Sequence, residues 1–260
     1  MKNNDAHNPP ESPGLVLIGR NAVLEALNHD KPMDKILVKR GGVDGTLRVI
    51  AAKARERGIV LQESDKAKLD DYSKFGNHQG VVGLCPAKGY VEIEEILAHA
   101  ETRGEAPFII ILDGVMDPHN LGAVLRCAEA AGVHGVILPK RRSAGLTPVV
   151  AKTSSGAIEH VMVCRVTNLS DAITKLKDKG LWIACADMDG KVLYNADLSG
   201  PIALLIGSEG TGVSRLLVKN SDFTVKIPMF GYIESLNASV AAGILMYEVV
   251  RRRKFMGAAP

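Results

Sequence analysis

Asn120 and Arg126 are the residues of this chain whose types and spacing most plainly suit chemistry. They lie in Asp113-Gly-Val-Met-Asp-Pro-His-Asn-Leu-Gly-Ala-Val-Leu-Arg126, directly after the apolar run Phe108-Ile-Ile-Ile-Leu112. The run reads as a buried strand, the polar stretch as a turn, and a helix is expected to start at or near Asn120. Arg126 then falls about 1.7 turns further along that helix. Strand ends that feed helices are where open α/β sheets hold ligands. An amide and a guanidinium aimed into such a crevice suit an anionic or hydroxyl-rich substrate. His119, beside Asn120, is a further candidate base.

Two later segments carry similar features. Gly207-Ser-Glu-Gly-Thr-Gly-Val-Ser214 is close to a phosphate-cradling loop, but such a loop needs Lys where this chain has Val213. Glu209 would also set a carboxylate against a triphosphate. The spacing is not that of a dinucleotide loop either. The glycines therefore let backbone approach something other than a polyphosphate, with a generic turn as the plainer alternative. In Ile227-Pro-Met-Phe-Gly-Tyr-Ile-Glu-Ser-Leu-Asn-Ala-Ser239, Pro228 fixes the exit from a strand. Asn237 reads as a helix cap, and Ser235 and Ser239 add hydroxyls beside a helix start that offers amide donors.

The elements that must position these turns form an α/β alternation. Short apolar runs at Phe108–Leu112, Gly135–Leu138, Leu181–Ala184, Ile202–Ile206 and Val225–Ile227 predict parallel strands covered on both faces. Helices are expected over Asn120–Ala131, Ser170–Lys179 (capped by Ser170) and Ala238–Arg253. The last is apolar nearly all round, which points to a subunit interface or an unusually enclosed position. Its terminal Arg251-Arg-Arg-Lys254 suits either the helix dipole or RNA. Upstream, a smaller α/β unit has a helix over Gly19–Leu27 capped by Asn21, a strand at Lys35–Lys39, and a helix from Leu47 to Arg57. Strands at Ile59–Leu61 and Gly80–Leu84 complete it. The division expected is a disordered tail (1–14), a small RNA-binding domain (15–88), a connector (89–105) and the main domain (106–260). Part of the connector, Ile93–Ala100, reads equally well as a docked helix.

Composition sets the outer bounds. At 46% apolar and 23% charged, the 260 residues are ordinary globular sequence. The polar start lacks the apolar core of a signal peptide, and no run reaches membrane-spanning length, so a cytoplasmic protein is expected. Cys85, Cys127, Cys164 and Cys185 show no metal-ligand spacing, and reduced thiols with no metal are expected. Net charge is +3. The first ninety residues carry 14 Lys/Arg against 11 Asp/Glu, while the connector carries five Glu and one Arg. Such mild basicity permits phosphate contact without demanding it.

In this order, after three strands, the three motifs resemble the signature of the SPOUT class of S-adenosylmethionine-dependent RNA methyltransferases, in its SpoU/TrmH family. The resemblance covers residues 106–260. Gly19-Arg-Asn21 and His78-Gln-Gly80 place the N-terminal unit close to the ribosomal-protein-like substrate domain of the RlmB type. The resemblance implies an enzyme: an RNA (guanosine-2′-O-)-methyltransferase acting in the peptidyl-transferase region of 23S rRNA. It implies S-adenosylmethionine as cofactor, a trefoil-knotted C-terminal domain and a homodimer. It assigns catalysis to Arg126, Asn120, Glu209, Ser235 and Asn237. Cofactor contacts fall to Gly207, Ile227 and Leu236, with Glu209, Gly210, Pro228, Met229 and Ser239 beside them. Glu209 is expected to orient Arg126 or to take a proton through water. A different 2′-O target, in tRNA or at an rRNA adenosine, and a non-catalytic RNA-binding homologue remain open at this point.

Overall fold

The computed structural model describes residues 15–41, 45–74, 76–232 and 235–256, so the expected tail lies outside the described residues. The chain forms two compact units. One runs to Ala87 and includes Leu146–Val149; the other takes Lys88–Gly145 and Val150 onward.

The first unit contains β1 (Leu15–Ile18), α1 (Arg20–Asn28), β2 (Lys35–Lys39), α2 (Gly45–Glu56), β3 (Val60–Ser64), α3 (Lys66–Ser73) and β4 (Val81–Cys85). Its sheet runs β1-β4-β2-β3, with β2 and β3 parallel and β4 antiparallel to both neighbours. Alternation along β2 sends Ile36 to a core with Val23, Leu27 and Ile50, and Leu37 to the other face with Leu69 and Val82. Asn21 is not the cap of α1. Gly19 is, at φ 88°, without a side-chain bond. Its N–H is tied to the Val81 carbonyl, which brings the chain into the helix before Asn21. The sequence pattern does not predict α3 or β1. α3 is mostly polar and buries only Leu69 and Ser73, and β1 is a four-residue edge strand.

The second unit follows the expected alternation but adds a strand at Met162–Val166 that was not expected. It holds α4 (Ile93–Thr102), β5 (Phe108–Asp113), α5 (Pro118–Ala130), β6 (Gly135–Pro139), α6 (Pro148–Thr153), β7 (Met162–Val166) and α7 (Leu169–Asp178). β8 (Trp182–Val192), β9 (Ile202–Gly207), α8 (Arg215–Asn220), β10 (Phe223–Lys226) and α9 (Ala238–Phe255) complete it. All six strands are parallel, in the order β10-β8-β9-β5-β6-β7. The central pair, β5 and β9, is buried on both faces, which is why their sequences do not alternate.

Two expectations left open are decided in this unit, and two helix starts are corrected. The 93–100 stretch is a helix of the unit's core: Ile93 and Ile96 pack with Ile109, Ile137 and Ile173. Its acidic residues close a capping box, in which Glu92 and Glu95 satisfy each other's backbone amides. α5 begins at Pro118, with Asp117 as cap accepting from His119 N–H. α7 is capped by Asn168, not Ser170. α9 buries Ala242, Leu245, Met246 and Val249 but leaves Val240 and Tyr247, seven residues apart, half exposed. The second unit therefore does not enclose its last helix.

The basic end of α9 is structural. Arg251 and Arg252 both pair with buried Glu248, and Arg253 donates to the carbonyls of Ala106, Pro107 and Gly200. These bonds fix the helix C-terminus to the segments that lead into β5 and β9.

Candidate active site

β5 and β9 are neighbours, and Asp113 is paired in register with Gly207. The first and second motifs therefore leave the sheet side by side. Gly114 turns at φ 80°, and a Cβ there would come within 3.3 Å of Ser208. Asp113 Oδ2 accepts the Ser214 N–H at 2.9 Å, so one strand end ties down the far limb of the other's loop.

The glycine turn closes on itself. Gly212 N–H donates to the Ser208 carbonyl at 3.0 Å, and the Ser208 and Thr211 hydroxyls are 2.6 Å apart. A Cβ at Gly207 would lie 2.0 Å from the Gly212 carbonyl carbon and 2.3 Å from Val213 N. What approaches Gly207 so closely is the loop's own backbone. Gly210 and Gly212 take positive φ at 81° and 63°. The result is a tight turn that holds Glu209 outward at its tip.

The third motif reaches this turn from the far edge of the sheet. After β10 the chain crosses back, and α9 packs against α5 and β9. Asn237 caps α9: its Oδ1 accepts from Ser239 N–H at 2.9 Å, from the Ser239 hydroxyl at 2.6 Å and from Val240 N–H at 3.3 Å. Its Nδ2 donates to Asn120 Oδ1 at 2.9 Å and also to Glu209 Oε1. Asn120 Nδ2 donates to the same carboxylate oxygen at 3.0 Å, and Ala238 N–H approaches it at 3.4 Å. Three residues from three separate turns thus form one closed hydrogen-bonded ring.

Arg126 stands apart from that ring. Its Nη1 donates to the Ser155 hydroxyl at 3.3 Å, and among the described residues Glu209 makes no bond to it. The expected orienting carboxylate is replaced by a hydroxyl, because Glu209 is committed to Asn120, Asn237 and Ala238. Ser155 was not singled out from the sequence. It sits at φ 51°, followed by Gly156 at φ 89°, a backbone conformation that side-chain-bearing residues rarely adopt. α5 presses on this turn closely enough that a Cβ on Gly122 would fall 1.9 Å from Thr153 Oγ1. A run of small and hydroxyl residues followed by glycine was the available signal.

The remaining predicted residues surround this centre. Ile227, Pro228 and Leu236 are half buried, while Met229 and Ser235 are exposed. Both donors of Ser239 serve the cap. His119 is exposed, its N–H used by Asp117. Burial pushes the thiols of Cys164 and Cys185 up to about 12, so both are inert near neutrality. Among the described residues no group of His, Cys, Asp and Glu could hold a metal ion, and no helix is long and apolar enough to cross a membrane.

Fold and geometry together define a parallel α/β protein with its polar centre at the carboxyl ends of two central strands. Residues 107–247 match the model of the SpoU rRNA methylase family, and residues 16–91 match a model described as RNA 2′-O ribose methyltransferase substrate binding. A Bacillus subtilis protein, YacO, named for the TrmH family of tRNA/rRNA methyltransferases, is 45% identical over 93% of this chain and 97% of its own length. The chain belongs to the SpoU rRNA methylase family. A Sinorhizobium meliloti rRNA methyltransferase solved with AdoMet is similar in structure, with TM-score 0.58 and 26% identity, covering 91% of this chain and 86% of that one. The Streptomyces viridochromogenes SpoU methyltransferase AviRb has the same fold, with TM-score 0.58 over 92% and 90% of the two chains at 24% identity.

Proposed function

We propose that this protein transfers a methyl group from S-adenosylmethionine to a ribose 2′-hydroxyl of RNA, specifically of a guanosine in the peptidyl-transferase region of 23S rRNA. The observation that carries the reading is the ring of Asn120, Glu209 and Asn237, which holds three distant turns in one place. Binding alone would not need Asn120, Arg126, Glu209, Ser235 and Asn237 together. The residue types fit the cofactor: the 207–212 turn offers backbone groups, and half-buried Ile227, Pro228 and Leu236 offer apolar surface for an adenine. Bound there, the sulfonium supplies an electrophilic methyl carbon.

This chain's residues then have to align a weak nucleophile and remove its proton. Arg126 cannot accept that proton, since a protonated guanidinium has no lone pair. It holds the adjacent phosphate and stabilises charge developing on the 2′-oxygen. The three protein donors to Glu209 converge on Oε1, which leaves Oε2 to take the proton through water. Asn120 and Asn237 position Glu209, and Ser235 adds a hydroxyl beside the start of α9. The N-terminal unit grips the RNA. We further read the C-terminal part as knotted, the protein as a cytoplasmic homodimer, and the exposed Val240 and Tyr247 of α9 as part of its interface.

Calorimetry with S-adenosylmethionine and mapping of ribose methylation in rRNA from cells with and without the protein test the reading. Cofactor binding together with one 23S guanosine that loses its methyl group is expected. No heat of binding and an unchanged methylation map would sink it.

A further inference from the structure

The first unit contains a cavity of about 550 Å³ that the methyl-transfer chemistry does not use. It lies where the start of α1, the end of β2, the start of α3 and the 76–80 loop meet. Among the described residues, Arg20, Lys39 and Lys66 line it against a single carboxylate, Asp70. Asp70 is already engaged, accepting from His78 Nε2 at 3.1 Å. His78 Nδ1 accepts the Gly80 N–H at 2.9 Å, so the ring hydrogen sits on Nε2 and points at Asp70. Its described lining is therefore positive in sum.

Two features show that its rim is built rather than incidental. Gln79 is held at φ 49° with Gly80 at φ 81°, and buried His78 fixes that turn from beneath. Strain of this kind in a loop that lines a cavity marks a site more often than a spacer. Gln79 also clamps Arg20: its Oε1 accepts the Arg20 N–H at 3.3 Å, and its carbonyl accepts Arg20 Nε at 3.0 Å. Second, Arg20 and Lys66 are the first residues of α1 and α3, where helix dipoles disfavour cations. An anion between them reverses that penalty at both helices.

We propose that this cavity seats one nucleotide of single-stranded substrate RNA. Lys39 and Lys66 take its phosphate, the Asn77 side-chain amide meets its base edge, and Gln79, whose Oε1 already serves Arg20, adds its Nε2 donor. An amide pairs a donor with an acceptor, as a base edge does. Among the described residues no aromatic side chain lines the cavity, and those that do line it discriminate by hydrogen bonding. The proposal rests on the RNA-methylation reading above and adds where in the first unit a strand is held.

The test uses the full chain with labelled single-stranded oligo(A), oligo(C), oligo(G) and oligo(U), binding being read by anisotropy across a salt titration. For Lys39→Ala combined with Lys66→Ala, the slope of log affinity against log salt should become shallower by about 1.4, or about 0.7 for each lysine removed from the phosphate. Asn77→Ala and Gln79→Ala should change the ranking of the four oligomers and leave the slope alone. Wild-type binding with an unaltered slope in the double variant would overturn the cavity while leaving methyl transfer standing. Thermal stabilisation by inorganic phosphate, without any slope change on RNA, would reassign the cavity to a small anion and also overturn it. Absence of both RNA binding and methylation in the wild type would remove this proposal and the reading beneath it together.

Discussion

A guanidinium that keeps its proton acts on a hydroxyl only through where it is held. Among the described residues Arg126 is held by one side chain, the Ser155 hydroxyl at 3.3 Å, which itself sits at φ 51°. Arg126→Lys keeps the charge and loses the planar fork. Single-turnover methylation should fall by about 10²-fold or more, with cofactor affinity by calorimetry unchanged; near-normal turnover would remove the role given to the fork. Ser155→Gly separates strain from contact. Glycine suits the left-handed backbone, so the variant should melt within about 1 kcal/mol of wild type. Its kcat should nevertheless drop about tenfold at unchanged KM for the cofactor, because the guanidinium has no anchor there. Full kcat in Ser155→Gly would show that hydroxyl to be idle.

The elements around the site tolerate little change. Gly207→Ala places a methyl 2.0 Å from the backbone of Gly212, where no flexible side chain can give way. We expect a loss of at least about 1–3 kcal/mol in urea unfolding and failure to bind cofactor; a stable, binding-competent variant would contradict the close approach. His134, buried at the head of β6, accepts the Phe108 N–H on Nδ1 and donates from Nε2 to Glu105. Burial holds its pKa below the usual 6.5, although Glu105 opposes the shift. The unfolded chain thus takes up this proton first, and the stabilisation is complete above about pH 6.5 and declines as pH falls below it. His134→Gln can make the same two bonds without titrating. Its melting temperature should therefore vary less between neutral and mildly acidic pH than that of the wild type, and equal slopes would reject His134 as the source.

For the whole molecule, five of the six strands of the second unit were legible because buried parallel strands appear as short apolar runs; β7, a half-buried edge strand carrying Arg165, was not. The N-terminal limits of α1, α5 and α7 were misplaced. Asn21 and Ser170 are good capping residues, and Asn120 stands near a helix start, but the caps are Gly19, Asp117 and Asn168. The site's members were legible as types. Their wiring was not, since a sequence does not say that Asn120 and Asn237 share one carboxylate oxygen or that Ser155 meets Arg126. Tyr247 tests the assembly proposed for the molecule. Half exposed on α9, it should as Tyr247→Asp shift the protein from dimer to monomer in sedimentation while each chain stays folded. A monomeric wild type would refute that face as an interface.

Asn237 both starts the last helix and closes the ring around Glu209, with Ala238 beside it. A chain that has not been synthesised as far as Asn237 therefore has the carboxylate but lacks two of its three donors. On the reading proposed above, a product truncated before Asn237 is made without a working centre.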